Sequence, residues 1–245
     1  MKKYAIVLAA GKGVRMKSDL PKVSHPLFGK PMIVRVLEAL QGIRLDGIIV
    51  VVGYKADVVK GECEGFDVSF ALQDKQLGTG HAVMQARPFI DGGSVTLVLN
   101  GDVPMIRTDS LKQLMDSHVG SGAAATVLTA VVTDPHSYGR IVRSADGRLL
   151  RIVEQKDATK EILEIKEVNT GTYCFNTDDL FDALGKIRPD NAQKEYYLTD
   201  VIGILNGENK KVMAFRAKDP SEALGVNTIE DLSRLEDIFR SADRH

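Results

Sequence analysis

Four cations, Lys12, Arg15, Lys17 and Lys22, crowd the string LAAGKGVRMKSDLPK that runs from Leu8 to Lys22. Gly11 and Gly13 stand among them, and glycine lets a backbone turn sharply and bring its N–H groups close to a ligand. Backbone donors and cations converging on one anion make a phosphate site. Two better-known phosphate loops are absent. The P-loop needs G-x-x-x-x-G-K-[ST], whereas Gly29-Lys30 is followed by Pro31. The dinucleotide fingerprint G-x-G-x-x-G needs a third glycine, and Met16 stands there. A glycine turn with solvated lysines would explain Gly11 and Gly13 alone. Arg15, two residues past Gly13, and Pro21-Lys22 further on shift the reading to phosphate binding.

Other strings carry polar groups suited to the rest of a nucleotide-sugar. Gln73 to His81 reads QDKQLGTGH. One glutamine amide holds both a donor and an acceptor, which would match the O4 acceptor and N3 donor of a uracil edge. The same string would also serve as a polar loop before a helix starting near Thr79. Asn100-Gly101-Asp102 follows the apolar run VTLVL, and a lone carboxylate at a strand's end suits Mg²⁺, which keeps waters and takes one or two protein oxygens besides phosphate. An Asp-capped turn before Pro104 competes with that reading. Gly139 in Tyr138-Gly139-Arg140, Glu154 in RIVEQKDA and Asn169 in EVNTGTY offer room, a carboxylate for hydroxyls and an amide for an acetamido group. Taken singly, each reads as a surface polar residue. Asn227, closing EALGVN, reads by itself as a helix cap or turn residue. The five histidines make no metal-spaced pair, and no Ser-His-Asp triad or covalent nucleophile stands out.

Together these strings resemble the sugar-nucleotide pyrophosphorylases, and among them most closely the bacterial N-acetylglucosamine-1-phosphate uridyltransferases. The resemblance covers nearly the whole chain. EVNTGTY and NAQKEYYLTD (Asn191 to Asp200) separate it from glucose-1-phosphate relatives. It implies that UTP and N-acetylglucosamine 1-phosphate give UDP-N-acetylglucosamine and pyrophosphate, with Mg²⁺ as cofactor. It implies nucleotide contacts from Leu8, Ala9, Ala10, Gly11, Gly13, Lys22, Gln73, Gly78, Thr79, Asn100, Gly101 and Asp102, the base being read by Gln73, Gly78 and Thr79. The sugar would lie against Gly139, Glu154, Asn169 and Asn227, and the metal on Asp102 and Asn227. Arg15, Lys22 and Asp102 would carry catalysis by in-line positioning and charge neutralisation, with no general base, because the sugar phosphate is already an anion. Asn100 departs from the Tyr of well-known members, and Val14 and Ser24 depart at sites given no chemistry. Rival readings are a nucleotidyltransferase for another sugar or base, a GT-A glycosyltransferase with Asn100-Gly101-Asp102 as a degenerate D-x-D, and a non-catalytic sugar-nucleotide sensor.

Elements must position these residues. Tyr4 to Ala10, Gly47 to Val52, Phe66 to Leu72 and Ser94 to Leu99 read as strands buried on both faces. Helical spacing over Pro31 to Leu40 and Thr108 to His118 alternates with them, which predicts an α/β fold with a Rossmann-like, doubly wound, mostly parallel sheet. Ligands of such sheets bind beyond the strands' carboxyl ends, where the first two motifs fall. From residue 121 the texture becomes β-rich: Ala124 to Val132, Gly139 to Val142, Leu149 to Glu154 and Glu167 to Phe175 are expected to form an antiparallel half covering one side of the site. Asp179 to Lys186 and Tyr197 to Leu205 read as helices, Val212 to Phe215 as a strand and Ile229 to Ser241 as a last helix. The expectation is one nucleotidyltransferase domain over 1–245, with a nucleotide half at 1–120, a sugar half at 121–228 and a terminal helix at 229–245.

The 245 residues suffice for a sizeable core. A net charge of −1 excludes general attraction to nucleic acid or membrane, so phosphate affinity must come from local clusters. Cys63 and Cys174 lack C-x-x-C or metal spacing and read as buried thiols of a cytoplasmic protein. The apolar run after Lys2-Lys3 is too short for a signal peptide, and no segment is long enough to span a bilayer. Bifunctional members of the resembled family continue into a left-handed β-helix that transfers acetyl groups and forms a trimer. No hexapeptide repeat stands in this sequence, so the expectation is a uridyltransferase without acetyl transfer, as a monomer or weak dimer.

Overall fold

The computed structural model describes residues 1–242. Strand β1 (Lys3–Ala9) leads into the glycine turn, and a short hairpin, β2 (Pro26–Leu27) and β3 (Lys30–Pro31), precedes helix α1 (Met32–Gln41). Pro31 caps α1, its fixed φ suiting a helix start. β4 (Gly47–Val52), α2 (Ala56–Glu62), β5 (Ser69–Leu72), α3 (Thr79–Gln85), β6 (Val95–Asn100) and α4 (Thr108–Ser121) complete the first half. In space the strands run β6-β1-β4-β5, all parallel, with Leu8 beside Val51 on one side and Asn100 on the other. All their carboxyl ends therefore face one rim.

Along β1 successive side chains enter opposite cores, the reason its sequence shows no alternation of polarity. Ala5, Val7 and Ala9 pack with Ile33, Val36 and Leu37 of α1 and with Leu111 and Leu114 of α4. Tyr4 and Ile6 pack on the other face with Ala82 and Val83 of α3.

The second half comprises β7 (Ala125–Val131), β8 (Arg140–Arg143), β9 (Leu149–Val153), α5 (Lys160–Leu163), β10 (Glu167–Asn176), α6 (Thr177–Leu184), α7 (Asp200–Gly207), β11 (Val212–Arg216) and α8 (Ile229–Ala242). Residues 243–245 of the expected terminal helix lie outside the described residues. The antiparallel expectation holds for β10, which pairs β6, β7 and β8, and for the β8–β9 hairpin. β10 hydrogen-bonds directly to β6, so the β-rich residues extend the same sheet, and β11 joins its edge parallel to β7. Among the described residues no helix is long and apolar enough to cross a membrane. Cys63 and Cys174 are buried and free.

Candidate active site

The carboxyl ends of β1, β5 and β6 open onto a cavity of about 290 Å³. Leu8, Ala9, Ala10 and Gly11 line it where the chain leaves β1; Lys22, Asn100 and Asp102 line one side. Gln73, Gly78 and Thr79 line the other. Gly13 and Gly101 stand just behind. Gly13 has φ 66°, and a Cβ there would lie 2.6 Å from Lys22 Cβ, so glycine lets the turn fold onto Lys22. The Gly101 N–H donates to the Leu8 carbonyl at 2.9 Å and ties the β6 end to the β1 end.

Charge converges at the β6 side. Lys22 Nζ donates to Asn227 Oδ1 at 2.6 Å and forms a partly buried ion pair with Asp102. Arg15 Nη2 donates to the same Asn227 oxygen at 2.8 Å. A carboxylate and an amide oxygen thus already converge on one small cation. Among the described residues no cluster of three or more His, Cys, Asp or Glu could hold a metal. Two hard oxygens fit a Mg²⁺ that takes its other ligands from phosphate and water. Asn227 reaches this place because the Val226 N–H donates to the Asp102 carbonyl at 3.0 Å. It is not the cap of α8. Thr228 Oγ1 accepts from the Asp231 N–H, and Asp231 Oδ2 accepts from the N–H groups of Asn227 and Thr228, a reciprocal cap that leaves the Asn227 side chain to the cations.

At the other end Gln73 is buried, and its Nε2 donates to the Gly78 carbonyl at 3.1 Å and contacts His81 Nδ1 at 3.0 Å. A carbonyl can only accept, so the amide orientation is fixed: Nε2 is engaged within the protein and Oε1 is the atom left to accept. Gly78 has φ 114°, and a Cβ would lie 2.6 Å from the Tyr196 carbonyl. The Gly80 N–H reaches that carbonyl at 2.7 Å, and Thr79 Oγ1 accepts from the Leu198 N–H at 3.0 Å. The loop around Gly78 is thereby braced on residues 195–198, with Glu195 also lining the cavity.

Gly139, Glu154 and Asn169 form a second group. The Asn169 N–H donates to the Gly139 carbonyl at 2.9 Å, and a Cβ on Gly139 would lie 3.5 Å from Glu154 Oε1. Glu154 Oε1 accepts from Thr199 Oγ1 at 3.1 Å. Burial pushes the Glu154 carboxyl above its ordinary range against the lowering effect of Thr199, and Asp157, Asp200 and Glu195 add to the rise. The group joins the cavity through Asn100, whose carboxamide lies against Gly171, while the Gly171 N–H donates to Asn169 Oδ1 at 3.1 Å. Asn227 sits with the cations rather than in this group.

A larger cavity, about 490 Å³, lies between residues 131–138 and 219–238 and shares only Asn227 with the residues assigned above. It holds neither the Gly11–Lys22 turn nor Asp102, so the smaller cavity is the one that gathers the residues expected to do chemistry.

A family model described as the MobA-like NTP transferase domain matches residues 5–170. The chain belongs to the MobA-like NTP transferase domain family. The bifunctional protein GlmU of Brevibacillus brevis is 50% identical over 95% of this chain, and that of Enterococcus faecalis 48% over 97%. The chain spans about half of those relatives, 50% and 52% of their lengths. Among solved structures, UDP-glucose pyrophosphorylase complexed with UDP-glucose superposes with a TM-score of 0.80 over 99% of this chain and all of that one, at 20% identity. A nucleotidyl transferase from Methanothermobacter superposes at 0.68 over 98% and 99% with 17% identity. Both likenesses concern the fold.

In this NTP transferase fold the expected residues form two adjoining groups, one lining the cavity and one around Gly139, Glu154 and Asn169. Supporting residues were not read from the motifs. His81 fixes Gln73, Thr199 holds Glu154, and the buried Glu222 accepts from the Arg107 N–H and Ser110 Oγ, anchoring the turn that delivers Asn227. Their partners lie far along the chain or around a turn, so spacing carries no sign of them.

Proposed function

We propose that the protein transfers a uridylyl group from UTP to N-acetylglucosamine 1-phosphate, giving UDP-N-acetylglucosamine and pyrophosphate. The observation that carries this reading is the meeting of Arg15 and Lys22 on Asn227 beside Asp102, in a cavity whose other end is Gln73 and Gly78. Family membership supports nucleotidyl transfer, and the sequence resemblance supports the sugar and the base. Gln73 Oε1 accepts from the base N–H. Gly139, Glu154 and Asn169 hold the sugar, with the Glu154 carboxylate accepting from hydroxyls. The phosphate oxygen of the sugar bonds to the α-phosphorus, the bond from that phosphorus to the bridging oxygen breaks, and pyrophosphate leaves with the electron pair. Arg15 and Lys22 neutralise the charge that builds on the transferring phosphate. Asp102 and Asn227 would hold Mg²⁺, which when bound supplies further charge neutralisation. Lys22 exchanges Asp102 for phosphate as substrate enters. The sheet shared by residues 1–120 and 121–228 supports a single catalytic unit, which would work in the cytoplasm as a monomer or weak dimer.

The test is pyrophosphate release across four nucleoside triphosphates and a panel of sugar 1-phosphates with Mg²⁺. UTP with N-acetylglucosamine 1-phosphate should dominate. A preference for another pair, or nucleotide-sugar consumption without pyrophosphate, would replace the reading with a relative of different specificity or a glycosyltransferase.

A further inference from the structure

Tyr54 lies just past β4, and its N–H donates to the Ala10 carbonyl at 3.1 Å. A Cβ on Gly53 would lie 2.8 Å from Gln76 Nε2 and 2.9 Å from the Ala10 carbonyl oxygen, so this turn presses directly on the phosphate loop. The Tyr54 ring carries two ammonium groups. Lys12 Nζ lies 5.3 Å from its centroid and Lys55 Nζ 5.7 Å. Lys12 comes from the Gly11–Gly13 turn and Lys55 from the residue that caps α2. Among the described residues neither ammonium pairs with a carboxylate. Two like charges on one ring repel each other, and the ring's negative face only partly offsets this. Lys55 also holds φ 47°, a left-handed conformation that glycine would adopt without strain. The chain therefore maintains a strained lysine and an unbalanced pair of cations beside the phosphate loop, which is the kind of local cost found at ligand sites.

We propose that Lys12 and Lys55, aimed by Tyr54, bind the outer phosphates of the nucleotide and the inorganic pyrophosphate they become. This rests on the reading of the protein as a pyrophosphate-releasing nucleotidyltransferase. Arg15 and Lys22 both sit on Asn227 beside Asp102 and serve the reacting phosphate, whereas the leaving group is a multiply charged anion that needs cations of its own. Lysines on flexible stems suit a product that must depart, since each is a point charge rather than a rigid bidentate fork. Tyr54 is a positioning residue: it holds both ammonium groups at the rim of the loop. When the bond to the α-phosphorus breaks, the electron pair stays on the pyrophosphate oxygen, and the two ammonium groups neutralise it without giving up a proton.

The experiment is the reverse reaction, UDP-N-acetylglucosamine with inorganic pyrophosphate, measured for the wild type, Lys12→Met, Lys55→Gly, their double variant, Tyr54→Leu and Tyr54→Phe. The double variant should raise the KM for pyrophosphate about tenfold, as loss of charge-assisted contacts predicts. Its KM for the nucleotide-sugar should move less than about twofold. Tyr54→Leu should give part of the effect, and Tyr54→Phe, which keeps the ring, should restore the wild-type value. Lys55→Gly should melt no lower than the wild type, because it relieves the left-handed strain, which separates binding from a structural role. A double variant with unchanged pyrophosphate KM overturns the subsite while leaving the catalytic reading intact. A wild type that catalyses no pyrophosphorolysis removes both.

Discussion

Asp102 and asparagine differ little in volume, so Asp102→Asn tests charge rather than packing. The variant leaves Lys22 with an amide where it had an ion pair, and it gives a divalent cation no anionic protein ligand. Pyrophosphate release should fall by about two to three orders of magnitude, the usual size of losing one charge-stabilising contact, with the melting temperature nearly unchanged. Near wild-type turnover in Mg²⁺ would remove Asp102 from the reaction. Glu154 makes a different prediction, in pH. Burial raises its carboxyl, so the folded protein prefers it protonated. Its contribution to stability is full below the unfolded value, about pH 4.3, and is lost as pH rises through the raised folded value. Glu154→Gln keeps an acceptor for Thr199 and removes the titration. The variant should melt with the wild type at about pH 4 and above it at about pH 8, while its KM for the sugar 1-phosphate rises. A constant gap between the two melting curves across that range would show that Glu154 is not the group being desolvated.

At the scale of elements, Asn227 depends on the start of α8. Asp231→Ala leaves two N–H groups without their shared acceptor and removes an acid favoured at a helix N-terminus, a loss of about 1 kcal/mol. Asn227 should then wander, and the rate with UTP should drop about tenfold with no change in the preference for UTP over CTP, because Gln73, the residue proposed to read the base, lines the opposite side of the cavity. Equal loss of rate and of base preference in initial-rate assays would mean that α8 supports the whole site rather than Asn227. The same element explains part of what the sequence revealed. The long apolar runs of β1, β4 and β6 were legible because burial on both faces leaves no polar residue to confuse the pattern. The ends were less so. β5 begins at Ser69 rather than Phe66; α7 begins at Asp200 rather than Tyr197, because the backbone groups of Tyr196 and Leu198 are taken by Leu77, Gly80 and Thr79. α2 and α5 are too short for a 3.6-residue period to stand out. α6 begins at Thr177 because Asn176 Oδ1 accepts from the Asp178 and Asp179 N–H groups, a cap written in the sequence and not used. Strings with fixed internal spacing, Leu8–Lys22 and Asn100–Asp102, announced the site; its braces did not, because Thr199 and Glu222 act through distant partners and His81 acts on Gln73 around a turn.

At the scale of the molecule, the first and last parts of the chain close on the same site. Met16 of the phosphate loop, Leu27 and Met32 bury themselves with Val226 and Leu235, and Arg15 reaches Asn227 over 212 positions of sequence. The loop proposed to bind phosphate is therefore held from outside the sheet by α8, a contact no local pattern could announce. Leu235 is 2% exposed and tests this. Leu235→Ala should cost about 2–5 kcal/mol and open space beneath Met16. If the loop relies on that contact, the KM for UTP should rise several-fold at temperatures well below melting. A control is needed, because any core deletion lowers stability. Leu40→Ala removes a comparably buried leucine near the other end of α1, packed in the core with β1 and α4 rather than in the cluster that holds Leu235. It should lower the melting temperature comparably and leave the KM for UTP unchanged at the same distance below melting. If the two variants change KM alike, α8 contributes only bulk stability; if Leu235→Ala alone does, the carboxyl-terminal helix holds the loop that binds phosphate.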